Sequence, residues 1–366
     1  MTVIIFLIVL AVLIFVHELG HFLFARMCGI RVDAFKIGFG PKIISWGSGE
    51  TEYGVNLIPF GGYVKIHGED PDDESLNGPD ASRSFARKPR WQQAIVLLAG
   101  VIFNVLFAWL LYAGMFSIGA TVPTSAFNLS PDYFSNQRVI VLDAEADSPA
   151  IKAGLGIGDV IQSVEVDGKK IDISSISDTQ KAIGSSAGKS IKLDYLKNGR
   201  LQSVDITPVN GIVSDNYAIG IALDQIAYVH MPFFTAVKES VTYTLSMIKD
   251  TVVGLYAFVA DLFHGAGALS DIAGPVGIAV IIGNAAHLTF GYLLIVVALI
   301  SINLAIVNLI PFPALDGGRV LFVIIEGIIR RRISPKFTNA VNTVGFVLLM
   351  ALMVIVTYKD IVRLVK

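Results

Sequence analysis

Phe15-Val16-His17-Glu18-Leu19-Gly20-His21-Phe22-Leu23-Phe24 closes an apolar run that begins at Thr2. On a helix, His17 and His21 lie one turn apart on one face, the H-E-x-x-H spacing that suits a zinc ion, with Glu18 beside them as a candidate base. Ionisable groups are costly inside a membrane-length segment and mark function there. Apolar neighbours on both sides make a solvated surface patch a poor explanation. The run is expected to be a bilayer-crossing helix that carries metal chemistry.

Composition agrees. The chain has 366 residues, 54% hydrophobic and 16% charged, with a mean hydropathy of +0.66, an apolar share above that of soluble domains. No Asp, Glu, Lys or Arg lies between Arg90 and Asp132, between Asp271 and Asp316, or between Lys336 and Lys359. Each gap holds a helix of about 20 residues, enough for a hydrocarbon core of roughly 30 Å. With the first run, four spans are expected, near 3–24, 94–118, 289–310 and 338–358. The net charge of −2 gives no case for nucleic acid. The single Cys28 excludes an intramolecular disulfide and a cysteine-based metal site. A cleaved signal peptide over 1–24 would lack a basic start and a small-residue cleavage site, and would discard both histidines, so a retained span is expected.

Basic residues set the orientation. Nine Lys or Arg lie from Arg26 to Arg90 and five from Arg319 to Lys336, against none from Ser117 to Gln137. The positive-inside rule then predicts both termini outside, both basic loops in the cytoplasm, and the segment around 120–285 extracytoplasmic.

Between the spans the chain changes character. Within an N-terminal membrane part, 1–118, residues 31–68 alternate short β-prone runs with Gly and Pro, from Ile37-Gly38-Phe39-Gly40-Pro41 to Pro59-Phe60-Gly61-Gly62-Tyr63-Val64, and read as hairpins. They either dip toward the membrane to line a protein-covered cavity or form an ordinary cytosolic sheet, and the residues favour neither. The acidic stretch 69–74 reads as a solvated loop. Residues 138–224 read as a small β-rich domain, with strands at Val139–Leu142 and near 163–167, 190–196, 201–206 and 217–222, and a short helix, Gly turn and strand over Ser148–Ile161. Within 231–285, charges at 238–239 and 249–250 share a helical face, which suits an amphipathic surface helix better than a fifth span, and Gly274-Pro275-Val276-Gly277 then breaks the chain. A C-terminal membrane part, 289–366, holds the last two spans.

Two histidines leave a tetrahedral zinc one protein ligand short, with the fourth place for water. Asp316, in Asn308-Leu309-Ile310-Pro311-Phe312-Pro313-Ala314-Leu315-Asp316-Gly317-Gly318, is the candidate. The first and third spans cross in the same direction, so the His21 and Asp316 ends reach one side of the membrane. Pro311 and Pro313 would interrupt the helix and turn Asp316 inward. The alternative is an interfacial aspartate that caps a helix starting at Gly317. His67, His230, His264 and His287 show no partner pattern and read as structural or surface residues.

The H-E-x-x-H in a first span, the Ala153-Gly154-Leu155-x-x-Gly158-Asp159-x-Ile161 signature of a PDZ domain, and the Asn308 to Gly318 motif resemble, in this order, the site-2 proteases, most nearly the bacterial regulator-of-sigma-E group. The resemblance implies a polytopic α-helical protein of the bacterial cytoplasmic (inner) membrane, with a re-entrant β element over 31–68 and an inserted extracytoplasmic PDZ-like domain. It implies Zn2+ on His17, His21 and Asp316, Glu18 as the catalytic base near the cytoplasmic side, and substrate held by Asn303, Asn308 and the Gly61-Gly62-Tyr63 edge. Asn104, after Phe103, matches a further common asparagine without a settled role. The implied activity is endopeptidase cleavage of single-pass membrane proteins, such as a pre-cleaved anti-sigma factor or signal-peptide remnants, with a peptide or chain end on the PDZ-like domain. One departure stands: the better-known members of the group carry two PDZ domains, and one signature is visible here.

Two other classes compete. A membrane-bound PDZ scaffold or quality-control adaptor with a structural or inactive metal site would not need Glu18. A transporter with broken helices would show an inverted repeat, and none is visible.

Overall fold

A computed structural model of the chain describes residues 1–70, 72–213, 216–264 and 273–365. In chain order the elements are α1 (Thr2–Met27), β1 (Val32–Ser48), β2 (Thr51–Ile66), α2 (Asp73–Asn77), α3 (Arg90–Ile118), β3 (Ala120–Pro123) and β4 (Phe134–Ala144). Then come α4 (Pro149–Lys152), β5 (Val160–Val166), β6 (Lys169–Asp172), α5 (Ile176–Ser185), β7 (Ile191–Lys197), β8 (Arg200–Ile206), β9 (Val209–Val213), β10 (Asn216–Ala218) and β11 (Ile221–Val229). Last are α6 (Phe233–His264), α7 (Pro275–Leu288), α8 (Phe290–Leu309), α9 (Asp316–Ile329) and α10 (Pro335–Val365).

Four helices are long and apolar enough to cross a membrane, at Thr2–Met27, Arg90–Ile118, Phe290–Leu309 and Pro335–Leu364. The chain is a polytopic α-helical membrane protein with β-sheet parts. Its spans fall where charge is absent from the sequence; three of the helices run a few residues past the expected bounds, and Phe290–Leu309 falls just inside its own. Helix α6, with Lys238, Glu239, Lys249, Asp250 and Asp261 along it, is not among the four. Residues 265–272 of the 231–285 segment, Pro71 of the acidic loop and the terminal Lys366 lie outside the described residues, as does the side chain of His264.

The chain divides into two compact units: Met1–Leu111 with Thr244–Gly283 and Val297–Lys366, and Tyr112–Tyr243 with Asn284–Val296. In the first unit, β1 and β2 each fold over on themselves. Glycines at positive φ, Gly38 and Gly40 in one strand and Gly61 in the other, make the bends. The result is four adjacent segments. Lys42–Ser48 faces Thr51–Asn56 and Val32–Ile37 faces Gly62–Ile66, both antiparallel. Ala34 to Ile37 also lie beside Glu52 to Val55 with residue numbers rising together, which makes the middle pairing locally parallel. This sheet stands against α1: a Cβ built on Gly62 would lie 2.9 Å from Ile14 and 3.4 Å from Glu18. Ile14 is halfway along Thr2–Met27, so β2 reaches the middle of a span. The bends also leave Phe39, Ile43, Ile44, Leu57 and Ile58 exposed, an apolar tip suited to lipid or a partner rather than to water. A buried cluster of Ala25, Val32, Phe35, Val64, Val96, Leu97 and Val320 ties the sheet to α1, α3 and α9. The N-terminus of α7 is satisfied by the buried Asp360 of α10, whose carboxylate accepts from the Gly277 N–H at 2.7 Å.

In the second unit the strands run β3-β11-β4-β5-β7-β8, with β6 on β5 and a separate β9–β10 hairpin. Its core is Val139, Val141, Leu155, Ile161, Val164, Leu193 and Ile219, with Ala182 and Ile183 from α5. Over Ser148–Ile161 the chain forms a short helix with Pro149 in its first turn and Ser148 capping the Ile151 N–H, then turns into β5. On one side β11 pairs with β4 along its length; on the other, β3 covers only Ile226 to Val229.

Candidate metal centre

The H-E-x-x-H periodicity does what its spacing requires. His17 and His21 are buried on one face of α1, and their Nε2 atoms lie 3.2 Å apart. Asp316 joins them. Helix α8 ends at Leu309, the chain passes Pro311 and Pro313 in non-helical form with Ala314 at φ 72°, and α9 begins at Asp316. Asp316 Oδ2 is 3.0 Å from His17 Nε2 and 3.3 Å from His21 Nε2. Its carboxylate makes no cap on α9, which removes the alternative of a helix-capping aspartate.

The donor set fits a metal ion. The His21 Nδ1 lies 2.8 Å from the Val96 carbonyl oxygen, which only accepts, so that nitrogen carries the proton and Nε2 presents a lone pair. Asp316 Oδ2 is buried without a hydrogen bond. Imidazole lone pairs and a carboxylate oxygen that converge with no proton between them repel one another unless a cation sits among them. The three atoms are spaced as ligands about 2.0–2.2 Å from a tetrahedral zinc would be, roughly 3.3 Å apart. Among the described residues, His17, His21 and Asp316 form the one such group.

Helix α3 supplies what surrounds them. A Cβ at Gly100 would overlap His21 Nε2 and lie 2.7 Å from His17 Cε1, so only glycine lets α3 approach the ring pair. The side chain of Asn104, fully buried, places its Nδ2 3.1 Å from His17 Nδ1 while its Oδ1 has no partner. A half-turn of the carboxamide, which exchanges near-isosteric groups, sets Oδ1 to accept from a His17 Nδ1–H. That pairing satisfies the orphaned oxygen and leaves His17 Nε2 free as a ligand, the usual role of a group behind a metal-bound histidine. Asn104→Leu is therefore expected to weaken zinc binding about 10–100-fold, read by competition with a chromogenic chelator, whereas Asn104→Asp keeps an acceptor and most of the affinity. Equal affinity in Asn104→Leu and wild type would remove this role.

Beside the ligands is a cleft of about 240 Å³ lined by Ile14, Glu18, Gly61, Gly62, Asn308 and Leu315, among others. The Val64 backbone N–H lies within hydrogen-bonding reach of Glu18, so the free edge of β2 faces the glutamate. Of the residues singled out from sequence, His17, Glu18, Gly61, Gly62, Asn308 and Asp316 meet here. Asn303 and Tyr63 do not line the cleft. Five positions on a helix turn Asn303 about 140° away from Asn308, and Tyr63 stacks with Phe39 at 6.3 Å. Gly100 and the Val96 carbonyl carried no signal in sequence, because their part depends on how α3 packs on α1.

One turn beyond Asp316, Arg319 forms an ion pair with Glu69, just past the end of β2. Burial pushes the Glu69 carboxyl above the ordinary range, against the pull of Arg319, and the Glu69 charge holds the guanidinium of Arg319 up in turn. This pair anchors the ligand-bearing helix to the sheet.

Sequence comparison gives the same picture along almost the whole chain. Residues 5–352 match the family described as "Peptidase family M50". A "Putative zinc metalloprotease" of Clostridium perfringens is 36% identical over 363 residues, covering 99% of both chains. Proteins of the same description from Nostoc (35%, 97% of this chain and 94% of that one) and Helicobacter pylori (32%, 97% of each) are also similar. A solved PDZ domain of an SdrC-like protein from Listeria monocytogenes is 26% identical and covers 24% of this chain and 90% of that one, at a TM-score of 0.21. The family match and the full-length relatives show that the chain belongs to peptidase family M50 and is a zinc metalloprotease.

Proposed function

We propose that the chain is an intramembrane endopeptidase that cuts single-pass membrane proteins, with a pre-cleaved anti-sigma factor or signal-peptide remnants as the natural class. The observation that carries the reading is the cleft in which Glu18, the ligands His17 and Asp316, Asn308 and the Gly61–Gly62 stretch of β2 meet, beside the midpoint of a span. A helical peptide carbonyl is already hydrogen-bonded, so a transmembrane substrate must unwind to be cut. An unwound strand needs partners for its backbone at membrane depth, and the Gly62–Ile66 edge offers them by strand addition.

In this reading His17, His21 and Asp316 hold zinc, which supplies Lewis acidity toward the scissile carbonyl and toward water. Glu18 accepts the proton of the attacking water and returns it to the leaving amine. Asn308 holds substrate backbone at the cleft, whereas Asn303 and Tyr63, on the same elements, do not line it. Gly61 and Gly62 keep the β2 edge bare, and Gly62→Val would fill the space between that edge and α1. The orientation with both termini outside follows from the basic loops, and Ile221–Leu223 of β11, which has no strand on one side among the described residues, is the edge at which the PDZ-like domain takes an extended chain end.

The test uses purified protein in liposomes with a single-pass substrate and a version of it stabilised by leucines around the scissile bond. Cleavage of the first and slow cleavage of the second are expected. Gly62→Val is expected to reduce kcat/KM on the first by about 100-fold, the loss typical of a misplaced substrate, with zinc content unchanged. Equal cleavage of both substrates, or full activity in Gly62→Val, would overturn the strand-capture reading.

A further inference from the structure

Past the end of β2 the chain enters a second cavity, about 320 Å³, polar and separate from the zinc cleft. Five carboxylates line it, from Asp33, Glu69, Asp70, Asp72 and Glu74, against the basic Arg31 and Lys65. Several are already engaged: Arg31 pairs with Asp33 at 2.8 Å and Asp80 at 2.6 Å, Asp72 caps α2 through the Ser75 N–H, and Glu69 holds Arg319. Asp70 and Glu74 have no ion pair among the described residues. His67 lines the same cavity. It is only 8% exposed, and its backbone is fixed by an N–H to the Arg31 carbonyl at 2.9 Å and a carbonyl accepting from Phe85 at 2.8 Å. Its Nδ1 lies 4.0 Å from Asp33 Oδ2, and its Nε2 is buried with no hydrogen bond. With its ring proton on Nδ1, toward Asp33, the imidazole leaves Nε2 as a buried nitrogen that a cationic donor group would satisfy, in a cavity rich in carboxylates.

We infer that this cavity is a specificity pocket for a lysine or arginine side chain of the substrate. The inference rests on the proposed capture of substrate along β2. That strand runs from Gly62, beside Glu18, to Ile66 and then His67, about 16 Å at roughly 3.3 Å per residue. A substrate strand added antiparallel, the more stable pairing, runs the opposite way and brings its N-terminal side to the cavity. The pocket then reads a residue about five positions N-terminal to the scissile bond. Basic residues flank membrane spans on the cytoplasmic side, so a span with its N-terminus in the cytoplasm presents one at about this distance. The head group donates to His67 Nε2 and to the Asp70 and Glu74 carboxylates, and its aliphatic stem lies along the strand. A divalent cation fits less well, because the donors here do not converge as those of His17, His21 and Asp316 do.

The experiment walks one arginine along an otherwise neutral single-pass substrate, from three to eight positions N-terminal to the scissile bond, with the full-length protein in liposomes. The expected kcat/KM peaks with arginine near the fifth position, about tenfold above glutamine there, the lower end of what a hydrogen bond to a charged group contributes. In Asp70→Asn/Glu74→Gln protein that arginine-to-glutamine ratio falls toward one, and in Asp70→Lys/Glu74→Lys protein glutamate becomes the preferred residue. Both double variants change exposed or loop side chains and keep His67. Cleavage that is indifferent to arginine position overturns the pocket while leaving the endopeptidase reading intact. Failure to cut any single-pass substrate overturns both.

Discussion

Glu18→Gln protein is expected to bind zinc like wild type and to lose about 10²- to 10⁴-fold in kcat, the range that a positioned general base contributes. The side chain lines the cleft next to His17 but is not one of the three converging donors. An amide of the same size keeps the packing against Gly62 and Ile14 and cannot take a proton. The decisive comparison is metal content beside turnover on one preparation, with mass spectrometry of the products. Retained zinc with lost cleavage supports the assignment. Equal turnover removes Glu18 from the chemistry, and lost zinc would make it a ligand instead.

The second large effect is expected at Asp316. Replacing it by alanine removes the one charged ligand and leaves two neutral imidazoles, so zinc affinity should fall by more than about 100-fold, beyond what changes behind a ligand cost. The consequence reaches stability. A ligand present at 100 times its Kd stabilises the folded state by about 2.7 kcal/mol, so adding a chelator should lower the melting temperature of wild type. Asp316→Ala protein should melt at one temperature with or without chelator. A chelator-sensitive melting temperature in the variant, or undiminished zinc content, would show that the third ligand lies elsewhere. Asp316→Asn is a finer probe, because its amide oxygen keeps the position without the charge.

Much of this site is legible in the sequence. His17 and His21 sit four apart, so helical geometry alone puts them together, and the charge-free gaps placed the four spans to within a few residues. Asp316 needed one further step, the direction in which each span crosses. What stayed hidden depends on long-range packing. Gly100 matters only because α3 touches the imidazoles there, and Asn104 because its amide ends at His17 rather than at another helix. The fold of 31–68 shows the limit most clearly: Gly and Pro announced hairpins, but nothing local says that Ala34 to Ile37 will sit between two other segments, parallel to one and antiparallel to the other. His67 read as a bland histidine because its neighbours in sequence do not include Asp33 or Glu74, which line the same cavity.

The metal ligands come from opposite ends of the chain, His17 and His21 in α1 and Asp316 at the start of α9. A ribosome that adds 5–20 residues per second needs about 15–60 s to travel the roughly 300 positions between them. Throughout that interval the nascent chain carries Glu18 and two histidines on its first apolar helix but no complete ligand set. Proteolytic competence therefore arrives late and all at once, when the segment after the third span folds back onto the first. A chain stalled or truncated before Asp316 lacks the third of the three converging donors, and zinc uptake measured on arrested chains of increasing length should rise in a single step once that residue can reach the histidines.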